Sequence, residues 1–308
     1  MDLGIVGLGR MGMGIARRAL GSGHRIAALD LRSELVREIS SEGARGAGSL
    51  DELVARLPYP RVIWMMLPAG DAIDETLAAF FDLLVPGDII VDGGNSFYKD
   101  SIRRSETLSA DGVSYLDVGV SGGVAGLEDG YCLMVGGPQE AFERIEPLFR
   151  AIACPEGYRY CGPAGAGHFV KMIHNAIEYA MMQAYAEGFD LLESSPLTGR
   201  LDRAGLARLW NHGSLIRSRL LECVEAAFAG DANLSGVAGR VEDTGSGRWA
   251  VQYAAESGVP APVISLSLME RFRSRRKDAL SNRLLAAVRR EFGGHAVLPP
   301  ENRDSGPE

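Results

Sequence analysis

LGIVGLGRMGMGIARRALGSGHRIAALD, Leu3 to Asp30, is the stretch on which the fold turns. A short apolar run, Leu3 to Val6, is followed at once by GLGRMG, with Gly7, Gly9 and Gly12 in G-x-G-x-x-G spacing. Helical periodicity runs from Met11 to Leu20 and stops near Gly21 and Gly23. The next apolar run, Arg25 to Leu29, ends on Asp30. Strand, glycine turn, helix, strand and acid in this order make a dinucleotide-binding unit. Gly7 permits the tight turn, Gly9 lets the backbone approach a pyrophosphate, and Gly12 lets helix pack on strand. The helix N-terminus faces the phosphate charge. Candidate cofactor contacts are therefore Gly7, Leu8, Gly9, Arg10, Met11 and Gly12, with Asp30 accepting hydrogen bonds from a ribose. A carboxylate there repels a 2′-phosphate, so NAD is expected over NADP. Arg32 is the opposing signal, because an arginine near this position can serve a 2′-phosphate.

Outward from this unit the alternation continues. Leu35 to Ile39 and Leu50 to Ala55 read as helices, Arg61 to Leu67 as a buried strand ending at Pro68, and Ala72 to Leu84 as an amphipathic helix. Asp88 to Val91 is a strand, Ile102 to Ala110 a helix and Ser114 to Val118 a strand. The fold class that follows is α/β, a Rossmann-type doubly wound parallel sheet covered on both faces. Ligands sit at the carboxyl ends of such strands, which singles out the loops after Leu67, Val91 and Val118. Leu67 and Pro68 are placed at the cofactor. DGGNS, Asp92 to Ser96, combines two glycines with an amide and a hydroxyl. VSGG, Val120 to Gly123, sets Ser121 beside Gly122 and Gly123, whose N–H groups can cradle an oxyanion. Each is also what an ordinary tight turn looks like.

Beyond Gly162 the strand pattern stops. GAGHFVKMIHNAIEYAMMQAYAEGFDLLE, Gly165 to Glu193, has no proline and spans about eight turns at ~3.6 residues each. Lys171, His174, Asn175 and Glu178 lie at i, i+3, i+4 and i+7, on one face. Apolar or small residues surround them, which shifts the proton affinities of a lysine and a glutamate toward acid–base work. A core helix with one solvated stripe has the same pattern. Leu206 to Trp210, Ser214 to Ala229, Arg248 to Ser257, Val263 to Lys277 and Ser281 to Glu291 also read as helices. An all-helical domain built on the long helix is expected at residues 164–295, after a dinucleotide domain at 1–163. The proline-rich tail at 296–308 is expected to be disordered.

Composition limits the partners. Net charge is −8, from 40 acids and 32 bases, which argues against a nucleic-acid surface or an anionic membrane. Four cysteines without C-x-x-C spacing make a disulfide framework or a zinc site unexpected. No cationic leader and no apolar run of about 20 residues stands in the chain, so a cytoplasmic protein is expected.

GLGRMG, LPAG, DGGNSFYKD, GVSGGVAGLEDG, MVGG and GHFVKMIHNAIEY together resemble 6-phosphogluconate dehydrogenase, in its short, often NAD-linked bacterial form. That family lies within the beta-hydroxyacid dehydrogenases. The resemblance implies oxidative decarboxylation of 6-phosphogluconate to ribulose 5-phosphate, with Lys171 as general base and Glu178 as acid. It places Asn95, Ser121, Gly122, Gly123, His174, Asn175 and Tyr179 around the sugar acid, Asn95 serving the cofactor as well. It gives Arg271 to the substrate phosphate, and Arg289 and His295 to the neighbouring subunit's site in a homodimer or homotetramer. Longer members carry a lysine in a phosphate-binding turn. Here that turn reads Thr244-Gly245-Ser246-Gly247-Arg248-Trp249, and the hydroxyls of Thr244 and Ser246 are the available substitutes. Pro68 stands where many NADP-linked members have lysine, in keeping with NAD. Two alternatives are a dehydrogenase for a smaller 3-hydroxy acid such as 3-hydroxyisobutyrate, and a non-catalytic dinucleotide-binding regulator.

Overall fold

Apolar runs in the first half of the chain become one eight-stranded sheet. The structure, a computed structural model, describes residues 1–196, 201–276 and 278–298. The first part holds β1 (Asp2–Val6), α1 (Arg10–Gly21), β2 (Arg25–Leu29), α2 (Ser33–Ser41), β3 (Arg45–Gly46) and α3 (Leu50–Ala55). Then come β4 (Val62–Met65), α4 (Asp71–Phe80), β5 (Ile89–Asp92), α5 (Tyr98–Ala110) and β6 (Ser114–Ser121). A 3-10 turn (Gly123–Ala125) and α6 (Gly126–Asp129) lead to β7 (Tyr131–Gly136), α7 (Gln139–Ile152) and β8 (Ala153–Gly162). The strand order is β3-β2-β1-β4-β5-β6-β7-β8. Chain direction across the sheet reverses between β1 and β4, which opens a crevice at their carboxyl ends.

Alternation along the strands feeds two cores. Leu3 and Ile5 of β1 face one side, where they join Ile15, Ala16 and Ala19 of α1 and Ile145, Leu148 and Phe149 of α7. Val6 faces the other, with Leu53 and Val54 of α3, Ile73 and Phe80 of α4 and Leu108 of α5. Trp64 of β4 is fully buried and meets the Phe149 ring edge-on at 5.9 Å. Helices on both faces explain why these strands read as continuous apolar runs.

The parallel sheet expected from the sequence needs one correction: β6 and β7 are antiparallel, and every other pair is parallel. The connection Gly122–Gly130 is too short for the crossover that a parallel neighbour requires. Element ends also move. β6 runs on to Ser121, so Ser121 is part of the sheet, and α5 starts a turn early at Tyr98.

The second half holds α8 (Ala166–Ser194), α9 (Arg203–Asn211), α10 (Arg219–Gly230), α11 (Ser246–Ser257), α12 (Pro262–Ser274) and α13 (Leu280–Gly293). The segment Ser214 to Ala229, expected to be one helix, turns helical only at Arg219. The Ser218 hydroxyl accepts the Leu221 N–H there and starts α10. The end of the expected helix at Lys277, and residues 299–308 of the expected tail, lie outside the described residues.

Two compact units emerge, and they do not follow chain order. The first comprises Met1–Glu178 and Gly245–Pro260, the second Tyr179–Thr244 and the chain from Ala261 onward. Aromatic packing ties α11 to the first unit. Trp249 lies 5.1 Å from Phe97, and Tyr253 lies 4.8 Å from Phe169 and 6.3 Å from Tyr98. The sequence reading divides the chain at residue 163 and sets off the tail from residue 296. The second unit buries a small cluster, Phe189, Ala207 and Leu221, with Trp210 and Phe228 against the Phe189 ring. A cavity of about 680 Å³ lies in this unit, lined by residues that include Phe189, Val224, Phe228 and Cys223.

Candidate active site

The turn between β1 and α1 has the geometry that its glycines foretell. Gly7 takes φ +94, and a Cβ there would stand 2.4 Å from the Met66 carbonyl oxygen. A Cβ at Gly12 would stand 2.1 Å from the Gly7 carbonyl oxygen, so both positions are closed to larger residues. A Cβ at Gly9 would meet nothing within 4 Å, which leaves open space in front of the α1 N-terminus. No acid stands in the first turn of α1 to compete with an anion. A cavity of about 310 Å³ opens here, with Leu8, Gly9, Arg10, Met13 and Arg32 in its wall.

Asp30 closes β2 and turns back onto this turn. Its carboxylate accepts the Leu8 N–H at 2.6 Å and the Arg32 N–H at 2.8 Å, and the Arg32 Nε stands 3.4 Å away. Burial pushes the Asp30 carboxyl up, but these donors and the Arg32 charge outweigh it, so the group lies below its ordinary range. An ionised acid, a fitting turn and open space at Gly9 suit a dinucleotide with a free ribose 2′-hydroxyl. Leu67 and Pro68 follow β4, whose continuation at Met66 donates its N–H to the Val6 carbonyl, at the same strand ends.

The loop DGGNS turns inward. Asp92 is fully buried and accepts the Gly94 N–H, the Ser96 hydroxyl at 2.8 Å and the Tyr115 hydroxyl at 2.6 Å, with Arg104 at 3.3 Å. A Cβ on Gly94 would lie 2.5 Å from the Leu67 carbonyl oxygen, and one on Gly93 would lie 2.3 Å from the Trp64 ring nitrogen. These glycines let the loop approach β4. Asn95 takes φ +54, a conformation asparagine tolerates, and grips the Val120 backbone at both ends. Its Oδ1 accepts the Val120 N–H at 2.9 Å and its Nδ2 donates to the Val120 carbonyl at 3.2 Å. The amide thus fastens DGGNS to VSGG. Gly122 at φ +127 and Gly123 at φ +57 then turn the chain out of β6.

The stripe on α8 gathers as its spacing requires. Lys171 is only 6% exposed, and its Nζ lies 3.2 Å from the His174 Nδ1. The same Nδ1 stands 3.2 Å from the Asn175 Oδ1 and 3.7 Å from the Glu178 Oε2. The far ring nitrogen of His174 meets the Ser121 hydroxyl at 3.4 Å, which joins helix to sheet. Burial pushes the Lys171 ammonium below its ordinary range, against the opposing charge of Glu178 and a weaker pull from Cys132. Burial also pushes His174 down, and the Lys171 charge adds to it, so the imidazole is neutral near pH 7. A neutral lysine can accept a hydrogen bond from the Nδ1–H, and a charged one donates to a bare Nδ1. The His174 tautomer is thereby coupled to the state of Lys171.

The second unit assembles its own set. Thr244 sits against Tyr179, its N–H donating to the phenol oxygen at 3.3 Å and its hydroxyl 3.4 Å away. The Arg271 guanidinium stacks on the Tyr179 ring at 3.6 Å from its centroid and donates to the Glu242 carbonyl at 2.8 Å. Tyr179, Thr244 and Arg271 are therefore neighbours. Arg289 is exposed on α13, and His295 follows the helix with its ring 6.1 Å from that of Phe292.

Against known proteins, residues 2–162 match the NAD binding domain of 6-phosphogluconate dehydrogenase, and residues 167–295 match that enzyme's C-terminal domain. The chain belongs to the 6-phosphogluconate dehydrogenase family. Among relatives, the NAD(+)-dependent, decarboxylating 6-phosphogluconate dehydrogenase of Haloferax volcanii is 47% identical over 299 residues, 96% of this chain and 98% of the relative. The 6-phosphogluconate dehydrogenase of Plasmodium falciparum, 28% identical, superposes with a TM-score of 0.82 over 99% of this chain and 67% of its own. A 3-hydroxyisobutyrate dehydrogenase from Salmonella typhimurium, 23% identical, reaches a TM-score of 0.72 over 89% of this chain and 93% of its own. That last likeness is one of fold alone.

Two positions gain a different meaning in this member of the 6-phosphogluconate dehydrogenase family. Ser246, which the sequence offers only as a substitute phosphate hydroxyl, is buried, and its Oγ accepts the Asn175 amide at 3.2 Å. Cys132 escapes the sequence reading. It pairs directly with Ser121 across β6 and β7, so both side chains leave the sheet on one face. No local pattern around Cys132 signals this, because the pairing depends on an antiparallel neighbour.

Proposed function

We propose that this chain oxidatively decarboxylates 6-phosphogluconate to ribulose 5-phosphate and carbon dioxide, with NAD as the oxidant. The observation that carries this is a lysine buried on the α8 stripe, in a chain 47% identical over nearly its full length to an NAD(+)-dependent enzyme of that activity. The Gly7 to Gly12 turn and Asp30 would hold NAD, which would supply the acceptor for a hydride from C3 of the substrate. Lys171, whose charged form burial disfavours, accepts the C3 hydroxyl proton. The resulting 3-keto acid loses carbon dioxide when its ketone is polarised, and protonated Lys171 supplies that polarisation. Glu178, two turns along the same face, protonates the enediol carbon.

Ser121, His174 and Asn175 position the sugar acid, with Gly122 and Gly123 offering backbone N–H groups. Asn95 acts by holding the two loops together. Arg271 is assigned to the phosphate, and Thr244, beside Tyr179, supplies a hydroxyl in place of the lysine of longer members. Arg289 and His295 are assigned to a neighbouring subunit in a homo-oligomer. The exposed Leu280, Leu284, Leu285, Val288 and Phe292 of α13 support such an assembly. Among the described residues no helix is long and apolar enough to cross a membrane.

Steady-state turnover of 6-phosphogluconate with NAD and with NADP, and of 3-hydroxyisobutyrate with each, tests this function. The expected result is ribulose 5-phosphate formation with NAD preferred. Turnover of the smaller acid without the sugar phosphate would overturn it.

A further inference from the structure

Asp117 is a buried acid in the middle of a largely apolar strand, and the mechanism above leaves it without a task. It is fully buried in β6, and both of its carboxylate oxygens are engaged at the start of α8. Oδ1 accepts the Gly165 N–H at 2.7 Å, and Oδ2 accepts the His168 N–H at 2.7 Å. The first-turn N–H groups of a helix have no partner within it, and negative charge is favoured there. Here a strand supplies the cap.

The contact is also close. A Cβ on Gly167 of α8 would lie 2.2 Å from the Asp117 carbonyl oxygen. A Cβ on Gly119, two residues along β6, would lie 2.3 Å from the Lys171 Cβ. His168 adds a tether, its Nδ1 meeting the Ser101 hydroxyl of α5 at 2.8 Å. Lys171 lies three positions after His168, less than one turn of helix. Whatever fixes the first turn therefore fixes the depth and rotation of Lys171.

We propose that Asp117 is a positioning residue for the reaction: with Gly119 it holds the start of α8 against β6 and so keeps Lys171 buried at the depth its base role needs. The proposal rests on the reading of Lys171 as the base. An asparagine in place of Asp117 accepts one N–H only and turns its own NH₂ toward the other. The first turn then loosens, and water reaches Lys171. The ionisable groups facing Lys171 are His174 and Glu178 on α8 and Cys132 on β7, and burial pushes the Cys132 thiol up, so it stays neutral. A better hydrated Lys171 moves toward its ordinary proton affinity, and the acidic limb of kcat/KM moves to higher pH.

The test compares pH profiles of Asp117→Asn, Gly119→Ala and Lys171→Met with the parent, with NADH affinity as the measure of an intact dinucleotide half. Asp117→Asn is expected to lower kcat by about 10- to 100-fold, move the acidic limb to higher pH and leave NADH affinity unchanged. Gly119→Ala, which pushes on Lys171 directly, is expected to do the same. An unmoved limb in both variants, or loss of NADH binding in parallel with turnover, would overturn the positioning role. If Lys171→Met abolishes turnover while the other two behave as the parent, only the positioning role falls. If Lys171→Met keeps turnover, the base assignment falls first and the positioning role with it.

Discussion

The two compact units treat their apolar residues differently. In the first, strands are covered on both faces, and large side chains such as Trp64, Phe80 and Phe149 are fully buried. In the second, the buried cluster is Phe189, Ala207 and Leu221, while Leu209, Leu215, Val263 and Leu266 are exposed and α13 buries nothing. A sheet with helices on both sides completes its own core. Helices with long apolar faces left open do not, and such faces are the mark of an association surface. The first unit thus covers its own apolar residues, and the helical unit leaves many of its own exposed.

Lys171→Met bears most strongly on this division. Turnover is expected to fall by about a thousandfold while NADH binding, proposed for the Gly9 turn, is retained in equilibrium fluorescence titration. Joint loss of both would mean that lysine and turn are not separable.

Phe149→Ala and Phe292→Ala replace the same residue type in the two units, one 0% and the other 74% exposed. The first is expected to cost about 3–5 kcal/mol in denaturant unfolding. The second is expected to change monomer stability by less than about 0.5 kcal/mol but to weaken self-association in sedimentation. Equal losses of stability would break the comparison.

Asp30→Ser should raise KM for NAD by about tenfold, in line with ~1.5 kcal/mol for a hydrogen bond to a charged group, and reduce discrimination against NADP. An unchanged NAD to NADP ratio would place cofactor choice on Arg32 instead. For Glu178→Ala, hydride transfer should slow several-fold less than ribulose 5-phosphate formation, followed separately as NADH appearance and product release. Equal slowing would count against the acid role.

The smallest effect is on stability. Lys171 has a folded-state proton affinity below its ordinary value of 10.5, because burial disfavours the ammonium. Between the folded and the unfolded pKa the unfolded chain binds more protons, so stability rises with pH across that window. The cost of the buried group is fully present below the folded pKa and is gone above the unfolded one. Lys171→Met should therefore melt higher than the parent at neutral pH, with the gap closing as pH rises toward 10.5. A gap that does not change with pH would show that packing, not charge, sets it.

Much of this is legible in the sequence. The G-x-G-x-x-G turn is local chemistry, and Gly7 and Gly12 behave as their positions require. The α8 stripe is likewise a matter of spacing: Lys171 meets His174 at i, i+3, and His174 meets Glu178 at i, i+4. DGGNS was harder. A sequence shows that Asp92, Asn95 and Ser96 are polar but not that they face inward, where Tyr115, Arg104 and the Val120 backbone meet them. The recruitment of α11 to the first unit was equally hidden, since the aromatic contacts join residues more than eighty positions apart.

The sequence by itself determined the elements: period-two and period-3.6 patterns, glycine turns and one face of one helix, all set by forces acting within a few residues. Only the tertiary structure decided which polar groups are internal fasteners and which face open space. It also decided how far Lys171 is withdrawn from water and that Asp117 caps a helix 48 residues downstream. Those outcomes depend on which strand lies beside which and on the exclusion of water between them, and neither is a local property of the chain.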